Sequence, residues 1–177
     1  MAGSGIETGS DSFPTSPRAA VTALFLAHHR RLVGLASLLV DDHGSAEEIV
    51  QDAFESLYKR WNGLRDPSTA VAYLDRSVVY GARSWVRRRV TARSFTPPEA
   101  GVEQSAENAM VDGRRNEELA LAIRALPQRQ REVVVLRYYL DLSEDQIATW
   151  LGVSTGSVKR HAFRATAALQ KRMEAWA

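Results

Sequence analysis

The sequence predicts an all-α chain of two small helical domains joined by a flexible linker, the C-terminal one containing a helix-turn-helix. Three observations carry that expectation. Apolar residues recur at helical spacing almost throughout, with no sustained period-two alternation. The spacing lapses only once internally, over a Pro- and Glu-bearing stretch. Near the C terminus, capping residues and a glycine fall where two short helices joined by a tight turn need them.

Residues 1–17 are rich in Gly, Ser, Thr and Pro and lack an apolar targeting core, so they are expected to be disordered. A first bundle is expected over 18–91. Val21, Leu24, His28, Leu32, Leu35 and Leu39 share one face of a first helix. Ser45 with Glu48 reads as a capping box opening a second, whose inward stripe is Ile49, Val50, Ala53, Phe54, Leu57, Tyr58 and Trp61. A third runs from about Thr69 to Arg89, with Val71, Leu74, Val78, Ala82 and Trp85 inward. Residues 92–115 read as an acidic linker, and 116–177 as the second domain. There Leu119, Ile123 and Leu126 form a short stripe, and Pro127 fits the first turn of the next helix. Ser143 and Gln146 form another capping box, and Gly152 ends that helix in a left-handed turn. Ser154 caps the last helix, with Val158, Ala162, Ala165, Leu169 and Met173 inward.

Composition narrows the function classes. The 177 residues are 45% hydrophobic and 25% charged, the balance of a folded globular chain. No cysteine is present, which excludes a disulfide framework, a thiolate metal site, a cysteine nucleophile and direct thiol redox sensing. No apolar run reaches the roughly 18 residues a membrane span needs, so a cytoplasmic chain without membrane insertion is expected. Net charge is only +2, but the charges are sorted. Asp41 to Ser56 holds six acids and no Lys or Arg; Tyr73 to Arg93 holds six arginines and one acid; Ser154 onward is basic again. Two basic patches separated by acidic stretches point to a polyanion touched at two places and an acidic surface offered elsewhere.

The strongest local signal is Gln146 to Ala165. Ala148 lets two helices approach, Gly152 permits the turn and Val158 plugs the second helix into the core. Thr155, Ser157, Lys159, Arg160, His161 and Arg164 are then left for phosphates and base edges.

With Ser45–Phe54, Ala72–Arg89, Leu126–Tyr139 and the helix-turn-helix in this order, the chain resembles an extracytoplasmic-function (ECF) type sigma factor of bacterial RNA polymerase, sigma-70 family, from about Val21 to Met173. The resemblance implies that the first bundle binds the polymerase clamp and the promoter −10 element. The second domain would bind the −35 element and the polymerase flap. Glu48, Gln51 and Asp52 match the clamp-contacting surface; Arg76, Tyr80, Arg83, Arg87 and Arg88 match the −10 segment; the Asn62–Asp66 loop matches the one that accepts a flipped base. Tyr80 and Ser84 depart from the commoner Asn and Asp, so the −10 preference is not inherited; Tyr80 can stack on an unpaired base or pack on the bundle. Ser157 to His161 likewise departs from the commoner Thr-Val-Lys-Ser-Arg. An anti-sigma factor is implied by family alone, and no cofactor is.

Other classes fit less well. A metal hydrolase would recruit His28, His29 and His43 with Glu47, but no H-E-x-x-H occurs, and no phosphate loop or Ser/His/Asp grouping marks an enzyme. The serious rival is a one-component helix-turn-helix regulator that binds operator DNA without polymerase, which leaves the Glu48-Gln51-Asp52 stripe unexplained.

Overall fold

The structure, a computed structural model, describes residues 16–64, 66–93 and 111–174. Seven α-helices and two short 3-10 turns occur among them, and no strand. The expected disorder of residues 1–15 and the expected linker over 94–110 lie outside the described residues.

Helix α1 (Pro17–Leu39) starts ahead of Val21, because Ser16 accepts from the Ala19 N–H at 3.3 Å and Pro17 suits the first helical position. Helix α2 (His43–Arg60) corrects the expected cap. Asp42, not Ser45, caps it, accepting from the Ser45 N–H at 2.7 Å and its hydroxyl at 2.6 Å. A carboxylate suits the positive helix end better than a hydroxyl, so Ser45 becomes the donor and Glu48 is released from capping. These hydrogen bonds hold the Asp42 carboxyl below its ordinary value of 3.8. Stability from that cap is therefore complete above the ordinary value and fades as pH falls through the lowered one. Asp42→Ala is expected to lose about 1 kcal/mol at pH 7. Urea melts should show the deficit shrinking in strong acid.

The 3-10 turns Trp61–Gly63 and Pro67–Thr69 lead into α3 (Ala70–Arg93), the latter capped by Asp66 onto the Ser68 N–H at 2.9 Å. Leu32, Leu35, Leu57, Leu74 and Val78 are fully buried where α1, α2 and α3 meet. Tyr58, expected inward, is half exposed: it lies next to Leu57, which takes the buried position of that turn.

Helix α4 (Val111–Arg124) begins inside the stretch expected to be linker, and α3 runs past residue 91; extending an existing helix is easier than starting one. Pro127 takes the cap position before α5 (Gln128–Tyr138) rather than its first turn. Helix α6 (Glu144–Leu151) opens on the expected capping box, Gln146 N–H to Ser143 Oγ 3.2 Å and Ser143 N–H to Gln146 Oε1 2.8 Å. It ends at Gly152 with φ +66°, the left-handed turn that favours glycine. In α7 (Thr155–Glu174), Val158, Ala162 and Ala165 are buried as expected, but Met173 is half exposed, on the wall of an open groove it shares with Tyr138 at the end of α5.

Helix α5 is buried over a whole turn, Glu132 to Leu136, which no one-sided amphipathic helix shows. Val134 packs with Leu126 and Ala165 on the α4/α7 side, whereas Val133, Val135 and Leu136 join the core of α1–α3. The two helical modules are thus packed directly against one another.

Candidate nucleic-acid interface

Glu48, Gln51 and Asp52 lie exposed along α2, with Glu55 one turn further. Helical spacing puts them on one ridge while Ile49, Val50, Ala53 and Phe54 face the core. None of the first three engages another side chain among the described residues. An acidic ridge without internal partners is suited to steering a basic surface into register.

On α3, Arg76 is exposed, donates to the Tyr80 hydroxyl at 3.2 and 3.3 Å, and stacks 5.5 Å from the Tyr80 ring and 5.7 Å from Trp150. Tyr80 is 40% exposed, so its ring lines the surface rather than filling the bundle. Arg87 and Arg88 are exposed at the far end of α3, and Asn62 is exposed in the first 3-10 turn. Arg83 behaves differently. It donates to the Trp150 and Leu151 carbonyls at 3.0 and 3.3 Å and lies 3.5 Å from the Glu132 carboxylate.

Ser154 accepts from the Ser157 N–H at 3.2 Å, setting the start of α7. Lys159, Arg160 and Arg164 are exposed on its outer face; Thr155 and Ser157 are half-buried near the turn. Arg160 donates to Ser157 Oγ at 3.2 Å, and Lys159 lies 3.6 Å from Glu144. His161 is turned partly inward, its Nδ1 buried without a hydrogen-bond partner, so only part of the ring reaches the outer face. Phe163, which the sequence reading left unassigned, is 77% exposed on that face. Its signal was positional: five residues beyond buried Val158, a helix has turned about 140° from the core. Glu132 is the other residue missed, a carboxylate only 3% exposed and held by Gln128 at 3.1 Å and Arg129 at 3.0 Å.

Burial raises the Asp75 carboxyl above 3.8 even though Arg31 pairs with it at 2.6 Å. The folded protein holds that proton more tightly than the unfolded chain, so this group's contribution to stability falls as pH rises through the raised value. Glu47 lies 3.3 Å from His29 and 3.7 Å from His43, but no group of three such residues is placed to hold a metal among the described residues. No helix among them is long and apolar enough to cross a membrane.

A helix-turn-helix with a basic outer face, packed on a bundle that carries an arginine face and an acidic ridge, defines the class as a two-module DNA-binding protein. Residues 24–91 match the family Sigma-70 region 2 and residues 116–169 match Sigma-70, region 4; the RNA polymerase sigma-E factor of Streptomyces antibioticus is 36% identical over 77% of this chain and 74% of its own. The chain therefore belongs to the sigma-70 family of RNA polymerase sigma factors, as a member of the ECF type. The ECF RNA polymerase sigma-E factor of Escherichia coli K12 is 23% identical over 88% of this chain and 87% of its own. Among solved structures, the sigma factor RpoE in complex with the anti-sigma factor NepR from Bartonella quintana superposes with a TM-score of 0.72. That match has 21% identity and covers 86% of this chain and 96% of the other, a likeness of fold.

Proposed function

We propose that this sigma factor reads the −10 element with α3 and the −35 element with α7, while the α2 ridge of Glu48, Gln51 and Asp52 grips the polymerase clamp. The observation that carries the reading is the separation of surfaces: the acidic ridge lies on α2, and the basic residues lie on α3 and α7. Arg76, Arg87 and Arg88 present guanidinium forks suited to phosphates, and Tyr80, held on the surface by Arg76, offers a face on which an unpaired base can stack. Asn62 stands at the loop that would receive a flipped base; Arg65 within it lies outside the described residues. On α7, Lys159, Arg160 and Arg164 supply phosphate and base-edge contacts, with Thr155, Ser157 and the exposed part of His161 at the flank.

An open apolar groove of about 450 Å³, lined by Tyr138, Thr166, Leu169, Gln170, Met173 and Glu174, suits docking of the polymerase flap and explains why Tyr138 and Met173 are exposed. The protein does no covalent chemistry itself and acts in the cytoplasm. Its mechanism is tethering. Two weak DNA contacts carried on one polymerase raise each other's effective concentration, so neither must be tight alone. The solved neighbour bound to NepR supports an anti-sigma factor as a further partner.

The purified chain with core polymerase should initiate from a cognate promoter and should bind the same duplex only weakly without the polymerase. Tight duplex binding without polymerase would favour a stand-alone regulator. Phe163 adds a contact of its own, an apolar edge suited to a thymine methyl group. Phe163→Ala is expected to cost about 1 kcal/mol at one −35 position and to relax base preference there, leaving the salt dependence of binding unchanged. A base-by-base competition assay reads this directly.

A further inference from the structure

Glu144 opens α6, and two cations from other helices converge on it. Its Oε1 lies 3.2 Å from the Arg137 guanidinium, at the end of α5, and its Oε2 lies 3.6 Å from Lys159 Nζ on the outer face of α7. Arg137 also stacks over the Tyr138 ring, 5.8 Å from its centroid. The Glu144 carboxylate is no part of the α6 cap, which Ser143 and Gln146 complete between themselves. Nor is it buried: 31% of the side chain is exposed, and a surface ion pair of that kind adds little to stability. What the arrangement does have is the charge pattern of a bound phosphate. One anion divides its two oxygens between a guanidinium and an ammonium from separate helices, beside the face on which Lys159 and Arg160 are exposed.

We propose that Glu144 is a built-in stand-in for a DNA phosphate: in the free chain it occupies Arg137 and Lys159, and a phosphate of the −35 duplex must displace it. The proposal rests on the reading that α7 contacts the −35 element. Its consequence is an electrostatic brake. A displaced carboxylate draws a cation back from solution, so forming the complex releases fewer counterions than the basic face alone would release. Binding is thereby weakened on every sequence alike, because phosphates carry no base information. A uniform penalty of this kind suits a helix-turn-helix that relies on the polymerase as its tether.

Glu144→Gln keeps the shape and removes the charge, and Asp145→Asn is its control: that carboxylate is exposed in the same turn and pairs with no cation among the described residues. Both variants lose one acid from the first turn of α6, so their thermal melts should match. Binding of the full chain to a short mixed-sequence duplex, followed by fluorescence anisotropy over a salt series, reads the brake. For Glu144→Gln the plot of log affinity against log salt should steepen by about 0.9, the share of one phosphate, which makes binding roughly eightfold tighter at a tenth of the salt where the lines meet. Asp145→Asn, acting only through a screened field, should gain at most about twofold. The Glu144→Gln gain should shrink in a Lys159→Gln background and vanish when Arg137→Gln is added. A duplex carrying a promoter that the protein transcribes should show the same gain, so base preference stays as it was. An unchanged salt slope, weaker binding, an equal gain from Asp145→Asn, or a shift of preference at one base pair would each overturn the stand-in. Lys159→Gln alone separates this from the functional reading. If it weakens duplex binding and flattens the slope while Glu144→Gln changes nothing, the stand-in fails and the −35 assignment remains. If Lys159→Gln too changes nothing, the −35 assignment of α7 fails and the stand-in with it.

Discussion

Glu48→Lys with Asp52→Lys is expected to abolish promoter-dependent initiation with core polymerase while leaving the folded state intact. Both side chains are exposed on α2, and neither supports the cap, which Asp42 provides. Reversing two charges on a surface that meets a basic partner sets like charges against each other at a cost of several kcal/mol, at least about a hundredfold in binding. Surface substitutions away from caps and cores usually change stability by no more than about 0.5 kcal/mol, so thermal melts should barely move. The measurement is polymerase binding and run-off transcription beside a circular-dichroism melt. Wild-type initiation by the double variant would remove the clamp assignment.

Leu74→Ala carries the largest expected loss of stability. Leu74 is fully buried in α3, within the core shared with α1 and α2. Truncating a buried leucine removes the transfer energy of its methyl groups and leaves a cavity, together about 2–5 kcal/mol. For a chain of ordinary stability that is a large fraction of the total. Denaturant titration should show the midpoint falling with little change in slope. Destabilisation of this bundle should also impair polymerase binding, because the α2 ridge is held by the same core. A loss below about 1 kcal/mol would mean that the bundle repacks around the gap.

What the sequence made legible were features settled by neighbours a few residues apart. The Ser143–Gln146 box and the left-handed Gly152 were readable because each depends on its own turn. The α2 start was misread because Asp42 and Ser45 are both competent caps three residues apart, and only the carboxylate's stronger acceptance decides between them. Non-local packing was not legible. The run Val133 to Leu136 looks like a helix with too many apolar faces until α1 is found against it, and nothing local to Arg131 announces Asp41 or Leu39 as its partners. Glu132 was hidden for the same reason: a glutamate in a helix reads as solvated unless the arginine that enters from another module is known. Of the proposed DNA contacts, Arg76, Arg87, Arg88, Lys159, Arg160 and Arg164 are exposed, whereas Arg83 and His161 are partly engaged within the protein.

Selection of active templates from a randomised promoter library, by the purified chain with core polymerase, tests the central claim most directly. The expected result is transcripts from templates that share two short sequence blocks at a constant spacing, one for each module, with no comparable selection when polymerase is omitted. Enrichment of a single block bound equally well by the chain alone would contradict the account.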